Sequence, residues 1–211
     1  MKALSVFLMG FLALLQVALA DPAPFQEQAV DAGLLREVRK GGYVLYLRHG
    51  STDTSRPDRA PQVDLNDCAT QRPLTAEGLA LARRIGVFIR AAKLPVGDIF
   101  SSPLCRAKES AQAAFGHFEV DNKLMYTANM TDAEKAPVVA GTRKLLSMPV
   151  AAGSNRLLVA HAPNLMDLMG YFPKPEGTLV VFRPQGEGRF EYLGSVRPEY
   201  WPDLLRELDR R

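Results

Sequence analysis

The 211-residue chain has little of what builds metal centres or dense disulfide frameworks: two cysteines and three histidines. It contains no CxxC pair and no histidines at short ligand spacing, so the usual zinc signatures are missing. A G-x-S-x-G turn is also absent, and nothing marks a serine nucleophile on a strand-to-helix elbow. Lysine and arginine never form a block of five, and a formal net charge of +3 is too small to argue for nucleic acid as a partner. Arginines spread in this way fit discrete anion contacts better than a basic face. Internal repeats and low-complexity blocks are lacking as well.

One long apolar run is present, at the amino terminus. Lys2 is followed by Ala3 to Leu15 and then Ala18-Leu19-Ala20 before Asp21-Pro22. A basic start, an apolar middle and a small-x-small site make the pattern of a secretory leader. An uncleaved anchor is the competing reading, since Ala3 to Ala20 is just long enough to span a membrane. No cysteine directly follows the apolar run, so a lipid-modified terminus is not indicated. The division expected is 1–20 as a signal peptide, 21–40 as a polar, flexible start with a helix, and 41–211 as one domain, exported to the periplasm. Removal of Lys2 lowers the charge from +3 to +2. In an exported chain, an even cysteine count fits one bridge between Cys68 and Cys105, or else two separate buried thiols.

Along the rest of the chain, Val30, Leu34, Leu35 and Val38 recur at helical spacing until Gly41-Gly42. Tyr43 to Leu47 is a short buried strand. Residues 51–73 form a long polar stretch, which inside a compact domain points to function. A helix follows Thr75 as N-cap, with Leu79, Ala82, Ile85, Phe88, Ile89 and Ala92 on one face. Asp98 to Ser101 reads as a strand, and Pro103 to Phe115 as a helix opening on proline. A helix over 131–147 carries an awkward Pro137. Arg156 to Ala160 is a strand, and Thr178 to Phe182 and Phe190 to Leu193 pair across a turn at 186–188. This alternation predicts a single-domain three-layer α/β/α fold with a mostly parallel central sheet.

Ligands of such sheets bind beyond the carboxyl ends of the strands. Three strands here end in polar groups: Tyr43–Leu47 in Arg48-His49-Gly50, Asp98–Ser101 in Ser102-Pro103-Leu104-Cys105-Arg106, and Arg156–Ala160 in His161. If the three are parallel neighbours, two arginines and two histidines converge. Guanidinium forks match phosphate oxygens, and Arg106 in a first helical turn adds a favourable dipole. A neutral imidazole can attack phosphorus, and a second can help neutralise the transferring group. Gly50 would let backbone approach the histidine or the phosphate. His117, after a helix end, reads as a surface residue.

"LYLRHGST", "IFSSPLCRAKESA" and "LLVAHAPN" together resemble the histidine phosphatase superfamily, with its phosphoglycerate-mutase-like fold, over about Gly42 to Phe182. The resemblance implies His49 as the phosphorylated nucleophile and Arg48, Arg106 and His161 as the phosphate pocket, with no cofactor and no metal. "LNDCATQRPLTAEG" further resembles small exported members such as lipopolysaccharide core heptose-phosphate phosphatases. Both cysteines fall inside the resembling segments, so a bridge would stiffen the pocket beside Arg106. The family supplies a carboxylic acid for the leaving group. Ala162 follows His161 where one branch places Asp, which leaves Asp121, Asp132 and Glu134. Glu134 is the first choice and Asp132 the alternative, although both also suit a helix N-terminus capped by Thr131. Without an acid, substrates with good leaving groups would be favoured: acyl phosphates, phosphoramidates or pyrophosphates.

The loop residues Arg56, Asp58, Arg59, Asp64, Asp67, Gln71 and Arg72 would either close over a substrate or form a solvated surface. Asn164 is expected to cap the helix after His161 rather than touch substrate. The function expected is a metal-independent phosphomonoesterase acting on a small phosphorylated molecule, with envelope sugar phosphates as candidates. Two rivals remain, a phosphate-binding module without turnover and a phosphomutase.

Overall fold

The computed structural model describes residues 24–59 and 63–210, so the leader-like residues 1–20 lie outside it. Strand β1, Val44–Arg48, is apolar up to its last residue because both of its faces are covered. Leu45 and Leu47 enter one apolar cluster, whereas Val44 and Tyr46 enter the other. The same alternation splits β4, Asn155–Ala160, and β5, Leu179–Pro184, between the two clusters. A strand buried on both faces reads as a continuous hydrophobic run, which is why these three were legible.

The sheet has six strands in the order β3-β2-β4-β1-β5-β6, with β2 at Val96–Ser101, β3 at Glu119–Val120 and β6 at Phe190–Val196. β3, β2, β4 and β1 run parallel, and β5 pairs antiparallel with both β1 and β6. One face is covered by α1 (Ala32–Val38), α2 (Ala76–Ala91), α3 (Cys105–Phe115) and α6 (Trp201–Asp209). α4 (Asp132–Ser147) and α5 (Ala162–Met169) cover the other. The three-layer α/β/α expectation therefore holds.

Neighbouring β1 and β4 send their chains to opposite faces, through α2 and α5, and so open a crevice at their carboxyl ends. Two details differ from the sequence reading. α3 starts at Cys105 with Leu104 as N-cap, which leaves Pro103 outside the helix. Residues 24–28, the described part of the start expected to be flexible, are held in place: Phe25 stacks on Tyr171 and Gln28 O accepts from Ser195 N of β6. In α4, Pro137 lies beyond the first turn, on the exposed side.

Gly50 is required by helix packing. A Cβ on Gly50 would meet Gly78 O at 2.3 Å, and one on Gly78 would meet Ser51 O at 2.0 Å. Backbone therefore lies on backbone where α2 seats against the end of β1. Across the site, the loop after β1 is pinned by a disulfide between Cys68 and Cys105, 5.7 Å apart at Cα. Gln71 reinforces it: its side-chain oxygen accepts from Cys105 N at 2.7 Å and its amide donates to Asp64 O at 2.9 Å.

Gly78→Ala raises helix propensity yet should destabilise by about 1–3 kcal/mol, because the added methyl has only backbone to displace. Urea unfolding checks this, and an unchanged midpoint would show that α2 can retreat freely. Replacing both cysteines by serine should cost roughly 3–4 kcal/mol in the same assay, the chain-entropy value for a loop of this length. A loss below about 1 kcal/mol would mean that Gln71 and its neighbours hold the loop without the bridge.

Candidate active site

The parallel ladder brings the polar strand ends together. Arg48 pairs with Ala160 across β1 and β4, and Ser101 with Val159 across β2 and β4. Hydrogen bonding continues one residue further, His49 N to Ala160 O at 3.1 Å and Ser102 N to Val159 O at 2.9 Å. His49, Ser102 and His161 therefore lie at one level, and the two imidazoles meet edge to face with centroids 5.1 Å apart.

Each ring is fixed by a neighbour. His49 Nδ1 lies 2.8 Å from Gly50 O. A carbonyl only accepts, so Nδ1 carries the hydrogen and Nε2 keeps its lone pair. His161 Nε2 lies 2.7 Å from Ser102 Oγ, and its Nδ1 is buried with no partner among the described residues. The Tyr46 hydroxyl clamps the backbone there, donating to His161 O at 2.7 Å and accepting from His161 N at 3.1 Å.

Three arginines surround the rings. Arg106 is fully buried; its Nη1 donates to Asp58 Oδ1 at 2.8 Å, while Nε and Nη2 have no partner among the described residues. Arg48 donates from Nη1 to Pro173 O at 2.8 Å and places Nη2 3.3 Å from Glu176, leaving its Nε unpartnered. Arg72, from the long loop, also has a buried, unpartnered Nε. Buried donors without acceptors are costly and rare, so four such nitrogens on three cations mark a place built for an anion. Tyr126 closes one side, 4.8 Å from the Arg106 guanidinium and 5.2 Å from the His161 ring.

Sequence reasoning gathered Arg48, His49, Arg106 and His161, and the structure brings all four together. It left Arg72 and Asp58 unsorted among the loop residues, and it missed Tyr126. "LMYTAN" carries no motif; a solitary Tyr becomes part of the site only through the fold. Elsewhere in the loop, Asp64 and Asp67 serve local turns, accepting from Asn66 N and Ala69 N, and Arg56 and Arg59 are exposed. His117 is exposed, as expected.

Among the described residues, the carboxylates expected to act as acids make no hydrogen bond or ion pair with Arg48, His49, Arg106 or His161. Glu134 is exposed and closes a capping box, its carboxylate accepting from Thr131 N and Oγ1 at 2.8 Å each. Those bonds hold it below the usual carboxylate range. It lines a cavity of about 200 Å³ that it shares with Tyr126 and Met130. Asp132 is exposed in the same first helical turn, and Asp121 caps the turn at Asn122–Leu124. Asn164 does not cap α5, since His161 occupies the N-cap position; Asn164 Nδ2 instead donates to Met125 O at 2.7 Å, next to Tyr126.

Both imidazoles are held well below the usual histidine range, chiefly by burial and then by the positive charge of Arg106. The unfolded chain thus binds more protons than the folded one below about pH 6.5. Stability present above that pH should be lost as the pH falls, by up to about 1.4 kcal/mol per unit for each ring. Urea midpoints of the unliganded protein between pH 7.5 and 5 test this. The His49→Gln/His161→Gln pair should flatten the dependence, and parallel curves would refute the assignment.

Residues 44–127 match the family model of the histidine phosphatase superfamily, branch 1, a stretch that includes Arg48, His49, Arg72 and Arg106. The solved structure of the protein histidine phosphatase SixA complexed with tungstate is 18% identical, with a TM-score of 0.51 over 74% of this chain and 97% of that one. Open reading frame Rv3214 from Mycobacterium tuberculosis is 15% identical, with a TM-score of 0.52 over 73% and 96% of the two chains. At these identities the likeness is one of fold. No curated protein matches the sequence. The matched stretch supplies the arginine-histidine end of β1 and the arginine of α3, and the fold sets His161 beside them: over residues 44–127 the chain is similar to the histidine phosphatase superfamily, branch 1.

Proposed function

We propose that the chain hydrolyses phosphomonoesters through a phosphohistidine on His49, without a metal, after export to the periplasm. The observation that carries this is the pairing of an unprotonated, buried His49 Nε2 with unpartnered donors on Arg48, Arg72, Arg106 and His161. In the first step Nε2 attacks phosphorus and the ester P–O bond breaks. The guanidinium groups and His161 Nδ1–H hold the phosphoryl oxygens as charge shifts onto them. In the second step water attacks the same phosphorus, the P–N bond breaks, and phosphate leaves.

Export is favoured by the leader pattern of residues 1–20, and a disulfide beside the site suits an oxidising compartment. No helix among the described residues is long and apolar enough to cross a membrane. An envelope sugar phosphate suits the open cavity of about 450 Å³ next to Arg48. Phe172 offers an aromatic face there, already stacked under Arg48 and Lys174, and the two cations suit a second anionic group on the substrate.

Purified protein should hydrolyse p-nitrophenyl phosphate in EDTA, and His49→Ala should lose at least about a thousandfold in kcat/KM. Acid-labile labelled phosphate should be trapped on the wild type and not on the variant. Metal-dependent turnover, or a fully active variant, would overturn the mechanism; binding without labelling would favour a phosphate-recognising module.

A further inference from the structure

We propose that Asp58 is the proton donor to the leaving group, and this rests on the phosphatase reading above. Asp58 lies in the long loop after β1, nine residues beyond His49, yet it reaches the centre of the site. Its Oδ1 accepts two hydrogen bonds of 2.8 Å, from Arg106 Nη1 and from Arg72 N. Its side chain is only 6% exposed. Among the described residues no hydrogen bond falls on Oδ2. A carboxyl anchored through one oxygen has the other available to carry a proton and to meet a reacting atom.

The guanidinium that anchors Asp58 is the one that offers most to the ligand. Arg106 holds the carboxylate on Nη1 and presents Nε and Nη2, both buried and unpartnered. An anion seated on that edge would lie beside Asp58. Through its free Oδ2 the carboxyl can take the proton of a phosphomonoester monoanion and carry it to the leaving oxygen. His49 Nε2 then attacks phosphorus, the P–O bond breaks, and the departing alkoxide oxygen takes the proton from Asp58. In the second step the attacking water returns a proton to the Asp58 carboxylate as the P–N bond breaks. Charge and protons balance over the cycle.

Other carboxylates fit the role less well. Glu134 is exposed, holds the end of α4 through Oε2, and makes no hydrogen bond or ion pair with the arginines or imidazoles of the site among the described residues. Glu176 contacts Arg48 at 3.3 Å, and its Oε1 also accepts from Thr52 Oγ1 at 3.0 Å. Arg48, however, is turned toward Pro173 O and Phe172, at the border of the outer cavity.

The experiment compares leaving groups. p-Nitrophenolate departs without a proton, whereas the alkoxide of glycerol 2-phosphate needs one. Asp58→Asn keeps the Oδ1 acceptor but has no proton to give. It should lose about a hundredfold in kcat on glycerol 2-phosphate, the typical worth of general acid catalysis, and at least tenfold less than that on p-nitrophenyl phosphate. Glu176→Gln should affect both substrates alike, and circular dichroism checks that each variant folds. Equal losses on both substrates, a gain on both, or a leaving-group-dependent loss in Glu176→Gln alone would overturn the role of Asp58 while leaving the phosphatase reading intact. A wild type that turns over neither substrate would overturn both.

Discussion

The site depends first on the parallel register of β1 with β4. Arg48 opposite Ala160 fixes His49 and His161 at one height above the sheet. Because side chains alternate along a strand, a slip of one residue would send either imidazole to the wrong face. The register is secured by burial on both sides: each strand divides its apolar residues between two cores, and a slip would exchange them. Catalytic geometry and core packing thus use one constraint. The same reasoning covers Gly50 and Gly78, whose bare backbones let α2 seat directly against the residue after His49.

A second layer is electrostatic. Arg48, Arg72 and Arg106 crowd two neutral imidazoles, and among the described residues only Glu176 and Asp58 make ion pairs with Arg48 and Arg106 respectively. Such an excess of buried positive charge opposes folding of the unliganded protein, and the disulfide, the Gln71 bonds and the Tyr46 clamp act in the opposite direction. A bound dianion would relieve the repulsion, so the unpartnered donors store binding energy for the ligand rather than for the fold. Placing the positive charge before the ligand arrives also spares reorganisation during the reaction.

What could be read from the sequence follows from how local each signal is. The runs ending in Arg48-His49 and His161 declared themselves because a doubly buried strand is uniformly apolar. The N-cap at Thr75 and the capping box from Thr131 to Glu134 were legible as short motifs. β3 was not, being two exposed residues at a sheet edge with no periodicity to detect. α6 was missed although Trp201, Leu204 and Leu208 recur on one buried face, so its signal was present in the sequence. Pro103 misled because a proline before a helix marks N1 only when the next residues begin to turn, and here they turn two residues later.

The acid was the least legible part, for a physical reason. A nucleophile and its arginine sit on rigid strand ends and leave a contiguous trace. A carboxylate on a long loop is placed by tertiary ties that sequence spacing does not encode. Glu134 had the better local context, yet that context is what ties it to the helix end. Asp58 stood among seven polar loop residues of equal standing; the Cys68–Cys105 bridge and Gln71 fold the loop back on α3, and Arg106 selects Asp58 from the set. The bridge therefore bears on chemistry as well as stability, since it fixes the part of the loop that holds Arg72 N and Asp58 together over the buried guanidinium.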